Sequence, residues 1–142
     1  MSVVTLPSAP STAHRSFLAF DFGTRRVGVA SGNALTRTAT PLTTVAAEGD
    51  ARFDAIERLV REWQPDALVV GVPRHPDGAP HDNTRRAERF ARQLAGRFGL
   101  PVHEVDERYT TTEAHALGAA DADAAAAALI LEQYLRESSS EP

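Results

Sequence analysis

The fold of this chain is decided by the stretch Leu18-Ala-Phe-Asp21-Phe-Gly23-Thr24-Arg25-Arg26-Val27-Gly-Val-Ala30, two apolar runs joined by a short polar turn. The continuous apolar run before Asp21 is typical of a strand buried on both faces, and the run after the turn predicts a second strand. Asp21 therefore stands where a buried strand ends. Because an unpaired carboxylate is costly to bury, we expect it to be hydrogen-bonded, paired with a cation or bound to a metal.

Length and composition indicate a single domain. The chain has 142 residues, of which 42% are hydrophobic, enough for one core and too few for two large lobes. We expect a disordered leader rich in Ser, Pro and Ala at 1–15, one domain at 16–136 and a frayed tail at 137–142. The absence of cysteine excludes disulfides and thiolate metal sites, and no apolar run has membrane-spanning length. We expect a soluble cytoplasmic protein with no membrane partner.

The charge distribution is compatible with a polyanionic substrate. The net charge is -4, but all 15 basic residues are arginine, the better bidentate partner for phosphate. If cations neutralised three carboxylates, the remaining net charge would be -1. Overall acidity therefore does not exclude a nucleic-acid substrate.

The remaining elements predict an α/β fold, a mixed five-stranded sheet with helices on both faces. Three further strands are predicted at 38–45, 67–72 and 102–107, the first of them at an edge of the sheet because Pro41 interrupts it. Helices are marked by Ile56, Ala87, Thr110 and Leu129. Helical crossovers should make the first, fourth and fifth strands parallel. Since ligands bind at the carboxyl ends of such strands, Asp21, Gly71–Pro73 and Asp106–Glu107 should converge on one edge. Trp63 ends the apolar stripe of the first helix, and we expect it in or near the core.

No single acidic residue establishes a site. Asp21 suits a turn, Asp106 and Glu107 suit an exposed charged cluster, and Asp123 suits an ordinary helix N-cap. Together, acids at two strand ends and one helix start predict a site for Mg²⁺ or Mn²⁺ that hydrolyses phosphodiesters through activated water. Most arginines on a helix are solvated surface residues. The candidates to bind the phosphates that flank the cut bond are Arg25, Arg26, Arg74, Arg85 and Arg108.

Four motifs resemble the YqgF/RuvX family of bacterial proteins, RNase H-like Holliday junction resolvases and nucleases of precursor ribosomal RNA. They are Phe20-Asp21-Phe-Gly23-Thr24-Arg25, Val70-Gly71-Val72-Pro73, Asp106-Glu107-Arg108-Tyr109-Thr110-Thr111, and Asp123 with Ala126-Ala127. The resemblance covers Ser16 to Leu135. It implies an RNase H-like fold, trimming of the 5′ end of the 16S ribosomal RNA precursor in ribosomal precursor particles, and metal ligation by Asp21, Glu107 and Asp123. Because adjacent strand residues point to opposite sides, only one of Asp106 and Glu107 should face the metals, and we favour Glu107.

The chain departs from the family pattern in one place. Only Gly118 to Ala122 connects Leu117 to Asp123, where members usually carry a longer and often basic segment. Loss of a basic loop should alter specificity or affinity before it abolishes chemistry. A shorter connection that displaces Asp123 from the site is the other possibility left open.

Three other functions compete with this interpretation. Actin-like ATPases and sugar kinases share the Asp-x-Gly-Thr turn but need two lobes, which this length does not supply. Resolution of branched DNA would require a homodimer with two sites related by a two-fold axis, whereas a monomer would favour RNA processing. The third is an RNA-binding assembly factor without turnover.

Overall fold

A tight antiparallel hairpin opens the fold. In the computed structural model, β1 (Ser16–Phe22) pairs with β2 (Val27–Asn33) around the turn 23–26. The structure describes residues 16–73, 83–107 and 121–139, and for Glu107, Ser138 and Ser139 it describes the backbone alone. A Cβ at Gly23 would lie 2.5 Å from the carbonyl oxygen of Arg26, so this turn leaves no room for a side chain there.

The predicted mixed five-stranded sheet is confirmed. The remaining elements are β3 (Thr38–Val45), α1 (Gly49–Trp63), β4 (Ala67–Pro73), α2 (Thr84–Phe98), β5 (Val102–Glu107) and α3 (Ala122–Ser139). The strand order is β3-β2-β1-β4-β5, and β4 is parallel to both β1 and β5. β3 is the predicted edge strand.

Several expectations fall partly or wholly outside the described residues. The leader 1–15 and the short helix near Thr110 lie outside them. Of the expected tail, 137–139 continue α3, and 140–142 are not described. The domain boundaries therefore stay predictions. Among the helices that the structure describes, none combines the length and apolarity needed to cross a bilayer.

The sheet separates two hydrophobic cores. Leu18 and Phe20 face α1 and α2, where they pack with Ile56 and Phe90. The alternate β1 residues Phe17 and Ala19 face α3, where they pack in a second core with Ile130, Leu131 and Leu135. Since both faces of β1 are covered, its unbroken apolar run is explained.

Small residues allow α3 to approach the sheet closely. Ala30 of β2 packs against Ala127 and Ala128 of α3. A Cβ at Gly32 would lie 2.4 Å from Cδ2 of Leu131, and one at Gly28 would lie 1.8 Å from the carbonyl oxygen of Asp123. Close backbone approach of this kind is a recognised use of glycine within a strand.

Trp63 corrects one sequence-based expectation. Instead of lying in the core, this side chain is 44% exposed. It is the last residue of α1, and Gln64 then ends the helix in the left-handed conformation, with φ 46°. The ring lines an open cavity with Ser16 and Asn33, at the end of the sheet where β1 begins and β2 ends.

Candidate active site

The carboxyl edge of the sheet brings distant parts of the chain together. Asp21 pairs with Gly28 on one side and Gly71 on the other, and Gly71 in turn pairs with Val105. Paired residues in adjacent strands present their side chains to the same face. Phe17, Ala19 and Val105 belong to the core on the α3 side. Asp21 therefore belongs to the α3 face, between Gly28 and Gly71 of the neighbouring strands.

Asp123 reaches the same edge from α3. Its backbone contacts Gly28, the strand partner of Asp21, so closely that any side chain at position 28 would collide with it. Residues directly opposite each other in an antiparallel pair lie about 5 Å apart. Asp21 and Asp123 are thus brought to two sides of one glycine, although 101 residues separate them in the sequence.

Asp123 lies inside the helix rather than at its cap. The amide of Ala125 donates to the carbonyl of Asp121 over 2.9 Å, so Asp121 accepts the first helical hydrogen bond. Asp123 is in the first turn of α3, where the helix dipole favours negative charge. The short connection 118–122 is compatible with Asp123 at this edge of the sheet, next to the partner of Asp21.

An arginine from the β1–β2 turn pairs with this carboxylate. Nε of Arg26 lies 3.2 Å from Oδ2 of Asp123, with the side chains 65% and 25% exposed. The pair borders an open cavity of about 440 Å³ that is also lined by Gly23, Thr24 and Arg25. This cavity therefore combines an acidic group with two arginines, within reach of solvent.

The strand register distinguishes the two acids of β5. Asp106 pairs with Val72 and Glu107 with Pro73. Because Val105 belongs to the α3 face, strand alternation assigns position 107 to that face and position 106 to the opposite one. The register therefore favours Glu107, as the sequence did. Among the side chains that the structure describes, no three His, Asp or Glu form a group able to hold a metal, and the Glu107 side chain is not among them.

Two residues that the sequence analysis missed hold this edge in place. Arg52 of α1 is buried, and it donates from Nε to the carbonyl of Ala47 over 2.8 Å and from Nη2 to the carbonyl of Thr24 over 3.0 Å. Burial lowers its pKa, and the charge of Glu48 partly offsets that effect. Thr84, also buried, donates its hydroxyl to the carbonyl of Pro73, which ties the start of α2 to the end of β4.

The residues that shape this edge differ in how clearly the sequence marks them. A glycine inside an apolar strand, such as Gly28, indicates close backbone approach and could have been identified. Nothing in the pattern separates Arg52 from the other arginines. Of the phosphate-binding candidates, Arg25 and Arg26 lie exposed on the turn and Arg85 lies exposed on α2. Arg74 and Arg108 lie outside the described residues.

The sequence of the chain matches the model of one known protein family. A family model described as "RuvX: Holliday junction resolvase" matches residues 15–137. The chain belongs to the RuvX family. The family resemblance seen in the motifs is therefore confirmed.

Curated relatives of this RuvX chain carry one name. A protein of Polaromonas sp. named "Putative pre-16S rRNA nuclease" is 67% identical over 136 residues, covering 96% of this chain and 98% of its own length. A protein of Albidiferax ferrireducens with the same name is 70% identical over 122 residues, covering 86% of this chain and 78% of its own length.

Solved structures show the same fold at low identity. RuvC from T. thermophilus, in complex with a Holliday junction substrate, aligns with a TM-score of 0.53 and 16% identity, covering 89% of this chain and 97% of RuvC. A structure of Thermus thermophilus RuvC aligns with a TM-score of 0.52 and 14% identity, covering 87% of this chain and 96% of that RuvC chain. These alignments confirm the expected RNase H-like fold of the RuvX chain.

Proposed function

We propose that this RuvX chain is a metal-dependent nuclease that processes the 5′ end of the 16S ribosomal RNA precursor in the cytoplasm during ribosome biogenesis. The observation that carries the proposal is the meeting of Asp21 and Asp123 on two sides of Gly28, with position 107 assigned to the same face. The names of the relatives support precursor RNA as the substrate.

The residues at this edge fit a divalent cation. Asp21, Asp123 and Glu107 offer carboxylate oxygens, the ligands that Mg²⁺ and Mn²⁺ prefer. The guanidinium of Arg26 is paired with Oδ2 of Asp123, so a cation bound there would have to displace this partner or share the carboxylate with it. When bound, such cations activate water and neutralise charge on the leaving oxygen of a phosphodiester.

The protein's own groups would position the substrate. Arg25 and Arg26 lie exposed in the cavity that Asp123 borders, and they would supply bidentate donors for phosphates flanking the scissile bond. Arg52 fixes the turn that carries them through its bond to the Thr24 carbonyl. Thr84 fixes the end of β4 beside β5. The edge is therefore built on rigid elements, as an active site requires.

The decisive experiment measures cleavage of a 5′-extended 16S precursor fragment in Mg²⁺ and in Mn²⁺. We expect Asp21→Asn, Glu107→Gln and Asp123→Asn each to lower the rate to roughly one-hundredth or less, the effect of losing one electrostatic group in other hydrolytic sites. Asp54→Asn, an exposed acid on α1, is the matched control and should cleave normally. Asp106→Asn should retain activity if Glu107 is the ligand. Undiminished cleavage by Asp21→Asn would contradict the metal-site assignment.

The family description favours a second candidate, resolution of four-way DNA junctions. A synthetic junction in the same assay tests it. Symmetric cutting needs two sites related by a two-fold axis, so it should be accompanied by a stable homodimer in sedimentation analysis. RNA cleavage by a monomer would instead support the precursor-processing function. Binding without cleavage of either substrate would support an RNA-binding assembly factor.

A further inference from the structure

A second concave surface lies across the sheet from Asp21. It is a cavity of about 300 Å³ between α1 and α2, and we call it the α1–α2 cleft. Its principal lining residues are Phe22, Arg52, Phe53, Arg86, Arg89 and Gln93. The volume is at the lower end of the range of small-molecule sites, roughly 300–1,000 Å³. Of these residues, Arg52 alone also supports the acidic site, through its bond to the Thr24 carbonyl.

The wall of the cleft formed by α2 is basic. Arg86, Arg89 and Gln93 follow one another at helical spacing, so they share one face of the helix. Arg86 donates from Nη1 to Oδ1 of Asn83 over 3.2 Å, and within the described part of the chain Arg89 forms no hydrogen bond or ion pair. The first turn of α2 contains no acidic residue. Both guanidiniums therefore keep donors available for an anion.

The floor of the cleft is aromatic. Phe22 is half-buried, and its ring centroid lies 5.2 Å from that of Phe90. The Phe53 and Phe90 centroids are 5.9 Å apart. The guanidinium of Arg52 lies 5.6 Å from the Phe22 ring centroid and uses only two of its nitrogens in the backbone bonds described above. Phe53 is buried, with the Arg97 guanidinium 4.1 Å from its ring centroid. Phe22 is therefore the ring that the cleft leaves partly exposed, next to the positive charge of Arg52.

Adjacent β1 residues connect this cleft to the acids. Asp21 belongs to the α3 face, while Phe22 packs with the core on the α1 and α2 side. One peptide unit, about 3.8 Å between Cα atoms, separates the two positions. A nucleic-acid strand that crosses the carboxyl edge of the sheet at Asp21 would therefore continue directly into the cleft.

We propose that the α1–α2 cleft binds a single-stranded segment of nucleic acid next to the bond that is cut. Arg86 and Arg89 contact its phosphates, and a base or sugar packs on the half-buried Phe22 ring. Rings combined with cations are the usual means of holding unpaired nucleotides, whereas the bases of a duplex stay stacked inside it. This inference rests on the proposed nuclease function for the identity of the strand, and it adds a requirement for an unpaired flank.

Binding without cleavage tests the cleft. Fluorescence anisotropy with a labelled single-stranded RNA oligonucleotide, in EDTA, would compare wild type, Arg86→Ala/Arg89→Ala and the matched control Arg58→Ala/Arg61→Ala. The control removes two exposed arginines from α1, where Arg61 pairs only with Glu57 among the described residues. Circular dichroism and thermal melting would check that both double variants are folded.

The proposal predicts that Arg86→Ala/Arg89→Ala loses affinity for single-stranded RNA. Two lost phosphate contacts should weaken binding about ten-fold or more at low salt, and they should reduce the slope of log affinity against log salt by roughly 1.4. The control should bind like wild type. Equal affinity and equal salt slope in both double variants would overturn the proposal. The same titration with a blunt RNA duplex is a further test. If Arg86→Ala/Arg89→Ala lost as much affinity for the duplex as for the single strand, the loss would reflect general electrostatic attraction, and the proposal would also be overturned.

The result separates this proposal from the proposed function. If the protein cleaves RNA, if cleavage depends on Asp21, and if the two double variants bind alike, the cleft proposal is wrong and the proposed nuclease function stands. If the protein cleaves neither substrate but Arg86→Ala/Arg89→Ala selectively loses affinity for single-stranded RNA, the cleft proposal stands and the metal-dependent nuclease function is wrong.

Discussion

The guanidinium of Arg26 lies 3.2 Å from the carboxylate of Asp123, and this ion pair links the β1–β2 turn to the first turn of α3. If Asp123 is a metal ligand, Arg26 and the metal compete for the same oxygen. An exposed ion pair contributes roughly 0.2–1 kcal/mol. Arg26→Ala should therefore lower the Mn²⁺ concentration for half-saturation by up to about five-fold, as measured by isothermal titration calorimetry. Arg25→Ala is the control from the same turn, and weaker Mn²⁺ binding by Arg26→Ala would contradict the competition.

The contact between Gly28 and Asp123 predicts that Gly28→Ala damages the site. The added methyl group would meet the Asp123 carbonyl at 1.8 Å, so the start of α3 must move away from β2. We expect a loss of roughly 1–3 kcal/mol in the free energy of unfolding and a loss of cleavage. Urea unfolding and the precursor-RNA assay would measure the two effects.

Gly96→Ala supplies the matched control for that substitution. A Cβ at position 96, inside α2, would have no neighbour within 4 Å. Alanine should therefore raise stability by roughly 0.5–1 kcal/mol through helix propensity, with unchanged cleavage. Similar behaviour of the two variants would show that the close approach at Gly28 is unimportant.

Arg52 should be a positioning residue for the turn. Arg52→Met keeps much of the side-chain length but leaves the carbonyls of Ala47 and Thr24 without their donor. We expect the free energy of unfolding to fall by roughly 1–3 kcal/mol, measured in urea. Arg58→Met, at an exposed position on the same helix, should change it by less than about 0.5 kcal/mol. An Arg52→Met protein as stable as this control would argue against the role.

Tyr134 predicts a loss of stability at alkaline pH. Its ring packs against Phe17 and His103, and burial raises its pKa above the ordinary value of 10.0. The folded state therefore keeps the phenol proton more strongly than the unfolded state does. The stability linked to this proton is fully present below about pH 10 and is lost as the pH rises through the raised value.

The alkaline effect can be isolated because the chain has no lysine and no cysteine. Urea unfolding between about pH 8 and pH 11.5 would compare wild type with Tyr134→Phe. The variant should show a smaller decline in the free energy of unfolding above pH 10. Parallel declines in both proteins would assign the effect to other groups.

Much of the fold could be predicted because its signals are local. The apolar run from Phe17 to Phe20 predicted a strand covered on both faces, and both cores are present. Pro41 correctly indicated an edge strand, since proline cannot donate to a central ladder. Trp63 was predicted wrongly because helical spacing shows which face of α1 is apolar but not where the neighbouring strands end.

The sequence by itself determined the order of the elements, the RuvX family motifs and the acids proposed as ligands, because these depend on residue type and spacing along the chain. Only the tertiary structure decided that Asp123 packs on the strand partner of Asp21, that Arg52 holds the turn, and that an aromatic cleft opens behind Phe22. Each of those features is a contact between residues far apart in sequence. Such contacts depend on how closely α3 and α1 approach the sheet, which the packing of the whole domain determines.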